Sequence, residues 1–230
     1  QYGTCFVSSY QESGWQFPLY LFNDGSEPYV FESGVLMHHR DLTEDKEAEE
    51  FKERFHHLES GDNYRRQAIK FSRKIFAMSN MLETTGWFVW FDADIVFTAP
   101  PTVDFIHLFH PLFKGNELAS ISSLVYLGRP KFRHSETGFI AFNLDDPAVT
   151  MMLLDMRSCY LGSKPEVFTL PEWHDSMVFD LCLGRSQILT ERQVSLSDHV
   201  HDLHVWPHTP LGAFSEHNKG PIRKVKAYGG

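Results

Sequence analysis

The stretch that most limits how this chain can fold is Trp87 to Phe97, WFVWFDADIVF, where two aspartates interrupt an otherwise apolar run. A run of large apolar residues this dense suits a strand buried on both faces of a sheet. A bare carboxylate in such surroundings would cost several kcal/mol or more, so either the strand ends at Asp92 or a cation sits beside it. Strand alternation predicts that Asp92 and Asp94 project to the same side with only the small Ala93 between them, so that both approach one ion. Such hard oxygen ligands suit Mg²⁺ or Mn²⁺, which take their remaining ligands from water and substrate phosphate. The plainer alternative is a strand-end turn in which one acid caps the next segment.

Around this stretch, strand and helix patterns alternate. YLFND (20–24) reads as a short buried strand. Leu42, Phe51, Phe55 and Leu58 fall near helical spacing on an acidic background, with Asp41 and Glu44 as a capping-box-like start. Tyr64, Ala68, Phe71, Ile75, Met78 and Leu82 form one apolar stripe, and Arg66, Lys70 and Arg73 line another face. SISSLVYLG, ETGFIAFNL and ILTERQVSL read as strands, and PEWHDSMVFDLCLG as a short helix. DPAVTMMLLDMRSCYLG is a helix with Pro147 in its first turn and Gly162 past its end. Residues 2–12 precede the YLFND strand too closely for a parallel crossover, so they are expected to be helical. The pattern predicts a single α/β domain over residues 1–230, with a mixed, mainly parallel sheet flanked by helices. The natural first strand is expected to be missing from the N-terminus.

Composition narrows the function classes. A formal charge of −9 argues against a general nucleic-acid surface. The cysteines, Cys5, Cys159 and Cys182, are odd in number and widely spaced, which points to a reduced, cytoplasmic setting without a disulfide framework. No apolar run approaches the ~20 residues of a membrane span, and no signal peptide is visible.

A hydrophobic strand running into D-x-D resembles the signature of the GT-A superfamily of nucleotide-sugar glycosyltransferases, whose fold is Rossmann-like. The resemblance covers roughly Tyr20 to Lys224 through short motifs. It implies that Asp92 and Asp94 bind Mn²⁺ or Mg²⁺, which grips the donor diphosphate, with Ala93 beside the donor. HNKG (217–220) resembles the late H-x-x-G-type motif of glycogenin-like members, which makes His217 a third metal ligand, Lys219 a diphosphate contact and Gly220 a point of close backbone approach. The spacing is tighter than the usual form. EWHDS (172–176) resembles the W-H-D-E-S stretch of blood-group-type transferases, which places Trp173 and His174 at the sugar and acceptor. Ser176 stands where that family has its proposed nucleophilic Glu, so the catalytic role moves to Asp175. Asp175 equally suits the N-cap of the helix that follows. His134 and Glu136, just ahead of an apolar strand, fall where the family lines its acceptor side. Arg66 and Lys70 are expected near the leaving phosphates. The implied reaction moves a sugar, retaining stereochemistry favoured, from a nucleoside diphosphate sugar, a UDP-sugar first, to a glycan or other hydroxyl acceptor.

Two other classes stay open. SDHVHDLHVWPH places His199, His201, His204 and His208 near Asp198 and Asp202, a composition that could bind Zn²⁺ in a metallohydrolase. A non-catalytic protein that binds nucleotide sugars or glycans would also keep the D-x-D pair.

Overall fold

A computed structural model describes residues 2–24, 36–59, 63–109, 122–129, 134–202 and 204–218. The chain opens with helix α1 (Tyr2–Glu12), as the short link to the next strand requires. Strand β1 (Leu19–Asn23) pairs in parallel with β2 (Met37–Asp41), whose polar MHHRD sequence carries no strand signal of its own. Helices α2 (Lys46–Phe55) and α3 (Ala68–Ser79) follow. The remaining strands are β3 (Trp87–Phe91), β4 (Ile95–Phe97), β5 (Leu124–Leu127), β6 (Glu136–Asn143), β7 (Gln193–Ser195) and β8 (Ser215–His217). Helix α4 (Val103–His107) follows β4, and α5 (Pro147–Ser158) and α6 (Asp175–Arg185) follow β6.

The architecture is α/β, with mixed sheets flanked by helices, as the alternating pattern predicts. The central sheet runs in the order β3-β6-β5-β7, and β4 and β8 form a separate antiparallel pair. The expectation of a mainly parallel sheet is corrected. Among the described residues β6 is antiparallel to both neighbours, β3 and β5, and only β5–β7 and β1–β2 are parallel. The link between β5 and β6 is shorter than the dozen or so residues a parallel crossover needs, so the chain must return antiparallel.

β6 divides the interior by strand alternation. Ile140 and Phe142 join a core built with α2, α3, α5 and α6, while Phe139 and Ala141 join a second core with α1, β4, Trp206 and Phe214. β3 follows the same rule: Phe88 and Trp90 pack against the first core, Trp87, Val89 and Phe91 against the second. A strand covered by helices on one side and by the β4–β8 layer on the other must be apolar on both faces, which explains the unbroken WFVWF run.

Capping differs in two places from the sequence expectation. Asp41 caps only a short 3₁₀ turn (Leu42–Glu44), and Asp45 caps α2 by accepting the N–H groups of Glu47 and Ala48. At α6 the cap is His174, whose ring accepts from the Met177 N–H, and Asp175 is the first helical residue. Pro147 does begin α5, and Gly162 beyond that helix has φ of +82°.

Candidate active site

β3 stops at Phe91, one residue before the paired acids. Asp92 and Asp94 therefore lie not on a strand but in a tight turn, closed by the Ile95 N–H donating to the Asp92 carbonyl at 3.1 Å. The turn, and not the strand pleat that alternation predicts, brings the two side chains to one place. The turn leads straight into β4, and antiparallel pairing of β4 with β8 sets Ile95 opposite His217. His217 Nε2 comes to rest 3.1 Å from Asp94 Oδ1. Asp92, Asp94 and His217 each offer a ligand atom, and these atoms all lie within 4.8 Å of one another.

This donor set fits a divalent cation that accepts both carboxylate oxygen and imidazole nitrogen, as Mn²⁺ does. Two features define the surroundings of the imidazole. Glu136 Oε1 lies 4.0 Å from His217 Nδ1, a neighbouring negative charge at longer than hydrogen-bond range. Gly138 supplies the room: a Cβ there would meet His217 Cε1 at 2.6 Å. Glu136 also accepts the Gly138 N–H and pairs with Arg129.

The question of what compensates Asp92 has a first answer inside the protein. The Asp92 side chain meets Lys74 of α3. Lys74 Nζ lies 2.7 Å from Asp92 Oδ1, 2.8 Å from Asp175 Oδ2 and 2.5 Å from the Thr137 carbonyl. Burial would lower the Lys74 pKa, but Asp175 and Asp92 raise it above the usual lysine value, so it stays an ammonium. Burial likewise acts to raise the Asp175 pKa, yet Lys74 and the Thr137 hydroxyl, at 2.7 Å, hold it below the usual aspartate value. The Trp90 indole N–H donates to Asp92 at 2.8 Å.

These groups line one cavity of about 960 Å³, whose walls come from β1, α3, the end of β3, the start of β6 and the start of α6. At its other polar end Glu172 accepts from His174 Nε2 at 2.9 Å and lies 3.4 Å from His134 Nε2 and 3.7 Å from an Arg65 nitrogen. Burial works to raise the Glu172 pKa, but these cationic and donor neighbours keep it below the ordinary glutamate value.

The structure thus brings Asp92, Ala93, Asp94, His217, Glu136, Asp175, His134, His174 and Lys70 to the same cavity. Arg66 and Trp173 are turned elsewhere: the Arg66 guanidinium sits 4.5 Å over the Trp173 ring, which packs on Phe168. Lys219 and Gly220 lie outside the described residues. In the 198–208 stretch His208 pairs with Asp202 at 3.7 Å. Among the described residues, neither of the two side-chain groups able to hold a metal ion draws on that stretch. Sequence reasoning missed Lys74, Thr137, Gly138, Glu172 and Arg129. Lys74 carried a usable signal, since Arg66, Lys70 and Lys74 step by four along α3 and its approach, and the last of them is nearest the strand.

No protein-family model and no curated protein matches the chain. Among solved structures it is similar to a glycosyltransferase involved in the glycosylation of the major capsid of PBCV-1, at 16% identity over 86% of each chain, with a TM-score of 0.43. No helix among the described residues is long and apolar enough to cross a membrane.

Proposed function

We propose that the protein is a metal-dependent glycosyltransferase that moves a sugar from a nucleoside diphosphate sugar to a hydroxyl acceptor. The observation that carries this reading is the convergence of Asp92, Asp94 and His217, from a turn and a distant strand, at a cavity large enough for a nucleotide sugar. Asp92, Asp94 and His217 would hold Mn²⁺ or Mg²⁺. A divalent ion there supplies Lewis-acid compensation for charge developing on the departing diphosphate.

The chain's own residues do the rest. Glu136 sets a negative charge near His217. Lys74 fixes Asp92 and Asp175 relative to each other and keeps the uncompensated negative charge of the site low when no ion is bound. Lys70 also lines the cavity and gives phosphate oxygens a cationic neighbour, whereas Arg73 is paired with Glu49 at 2.7 Å. Asp175, held ionised, can stabilise the positive charge that gathers on a sugar ring as its bond to the leaving group breaks. The anomeric form of the product tells whether that carboxylate acts on a retained or an inverted centre.

Asp94→Asn is the discriminating variant, because Asp92 also serves Lys74 whereas Asp94 serves His217 and the ion. Calorimetric titration of UDP in the presence of MnCl₂ should show wild-type binding that EDTA abolishes. In Asp94→Asn the affinity should fall by more than the roughly 10–100-fold that outer-shell partners cost, with the far-UV spectrum unchanged. Normal UDP binding by that variant would sink the metal assignment. Transfer of label from a panel of UDP- and GDP-sugars to added glycans separates an enzyme from a protein that only binds.

A further inference from the structure

The polar end of the cavity away from the Asp92–Asp94 turn has its own construction. Glu172, His134 and His174 are close enough to invite a second metal, but the proton arrangement excludes one. His174 Nδ1 accepts the Met177 N–H at 3.3 Å, so Nε2 is the protonated nitrogen and donates to Glu172 at 2.9 Å. Both nitrogens of His174 are committed, and neither offers a lone pair to an ion. What the arrangement does fix is a buried carboxylate with its hydrogen-bonding direction set.

At the rim of the same end stands Tyr64. Its side chain is 56% exposed yet held in place. The ring stacks on His174 with centroids 6.5 Å apart and planes at 24°, the Arg65 guanidinium carbon lies over it 5.7 Å from the centroid, and its hydroxyl accepts from Arg65 Nε at 3.2 Å. A solvated aromatic ring anchored this way, with Glu172 held by the same His174 and Arg65, offers apolar ring surface and charged hydrogen-bonding groups within one small area. A ligand for such a place needs a C–H face and several hydroxyls. Net charge is selected against on both sides: Glu172 disfavours an anion, and Arg65 and Arg129 disfavour a cation.

We infer that the Tyr64, Arg65, His134 and Glu172 end of the cleft is a subsite for a neutral saccharide, with the Tyr64 ring as the platform for the apolar face of a pyranose. This rests on the glycosyltransferase reading and gives its acceptor a chemical class. Aromatic stacking of this kind is worth about 0.5–1.5 kcal/mol, so removing the ring should weaken binding roughly three- to tenfold.

The test is saturation-transfer NMR on the whole chain with the diamagnetic MgCl₂ and UDP present, using methyl glucosides, galactosides and mannosides, and sialyllactose as an anionic comparison. Wild type should bind at least one neutral glycoside. Tyr64→Ala should lose affinity three- to tenfold, and Tyr64→Phe, which keeps the ring, should retain it. Equal binding by wild type and Tyr64→Ala, preference for sialyllactose, or no glycoside signal from wild type would each overturn the subsite. UDP affinity measured on the same samples keeps the two readings apart. Intact UDP binding without glycoside binding removes only the subsite, and glycoside binding without UDP binding upholds the subsite while removing the donor reading.

Discussion

Gly138 shows how a single residue without a side chain can govern the proposed metal site. His217 lies against β6 where any Cβ at position 138 would come within 2.6 Å of its ring, and the carbonyl of Gly138 also accepts the Asp92 N–H at 3.0 Å. Gly138→Ala should push His217 away from Asp94, lowering Mn²⁺ affinity about tenfold and costing about 1–3 kcal/mol of stability from overpacking. Electron paramagnetic resonance titration of Mn²⁺ checks this, and an unchanged binding curve would remove His217 from the ligand set. At this scale the sequence displays residue types that local motifs expose. Asp92 and Asp94 can be named because acids inside an apolar run are costly and conspicuous, and Asp175 through the resemblance of its short motif. Thr137 cannot, because a threonine in a strand looks ordinary, and Lys74 shows only as one more step of the Arg66–Lys70 row until the fold sets Asp92 and Asp175 against it.

Among the elements, Arg157 near the end of α5 ties three helices together. Its guanidinium binds both oxygens of Asp45, the α2 cap, at 2.8 and 2.9 Å, and also reaches Glu47 and the Ser79 hydroxyl at the end of α3. The Asp45 side chain is only 6% exposed, so removing Arg157 leaves a nearly buried charge held only by the Glu47 and Ala48 N–H groups. Arg157→Ala should destabilise the protein by about 3–5 kcal/mol while leaving Mn²⁺-dependent UDP affinity of the folded fraction unchanged. Chemical denaturation reads the first effect and calorimetry the second; a shift under about 1 kcal/mol would mean that the pair is solvated in solution. The long helices are legible because their apolar residues recur at helical spacing, and Pro147 marks the start of α5. β4 and β8 are not. Each is a three-residue strand whose identity depends on pairing with the other across most of the chain, and no local pattern of that length can specify a partner so distant. For the same reason β2, with polar residues throughout its centre, shows itself only through its pairing with β1.

For the molecule as a whole, the two cores on either side of β6 are joined at their open end by the proposed ion site. Asp92 comes from the turn after β3, held by α3 through Lys74, and His217 comes from the last described strand, which packs with the second core through Trp206 at 4.9 Å. An ion shared by these residues would cross-link the layers, and its binding free energy would appear as folding stability. At a concentration about a hundredfold above its dissociation constant, Mn²⁺ with UDP should add about 2.7 kcal/mol, a rise in melting temperature of roughly 5–10 °C for a chain of this size. The location of the effect is the sharper prediction. Backbone N–H groups of β4 and β8, together with the Asn218 N–H that donates to the Asp94 carbonyl at 3.1 Å, should gain protection from hydrogen exchange, while those of α5, remote from the site, should exchange as before. Uniform protection along the chain would point to nonspecific stabilisation. Protection confined to the Asp92–Asp94 turn, with β8 unaffected, would show that the two acids bind the ion without His217 and that the layers are not joined through it.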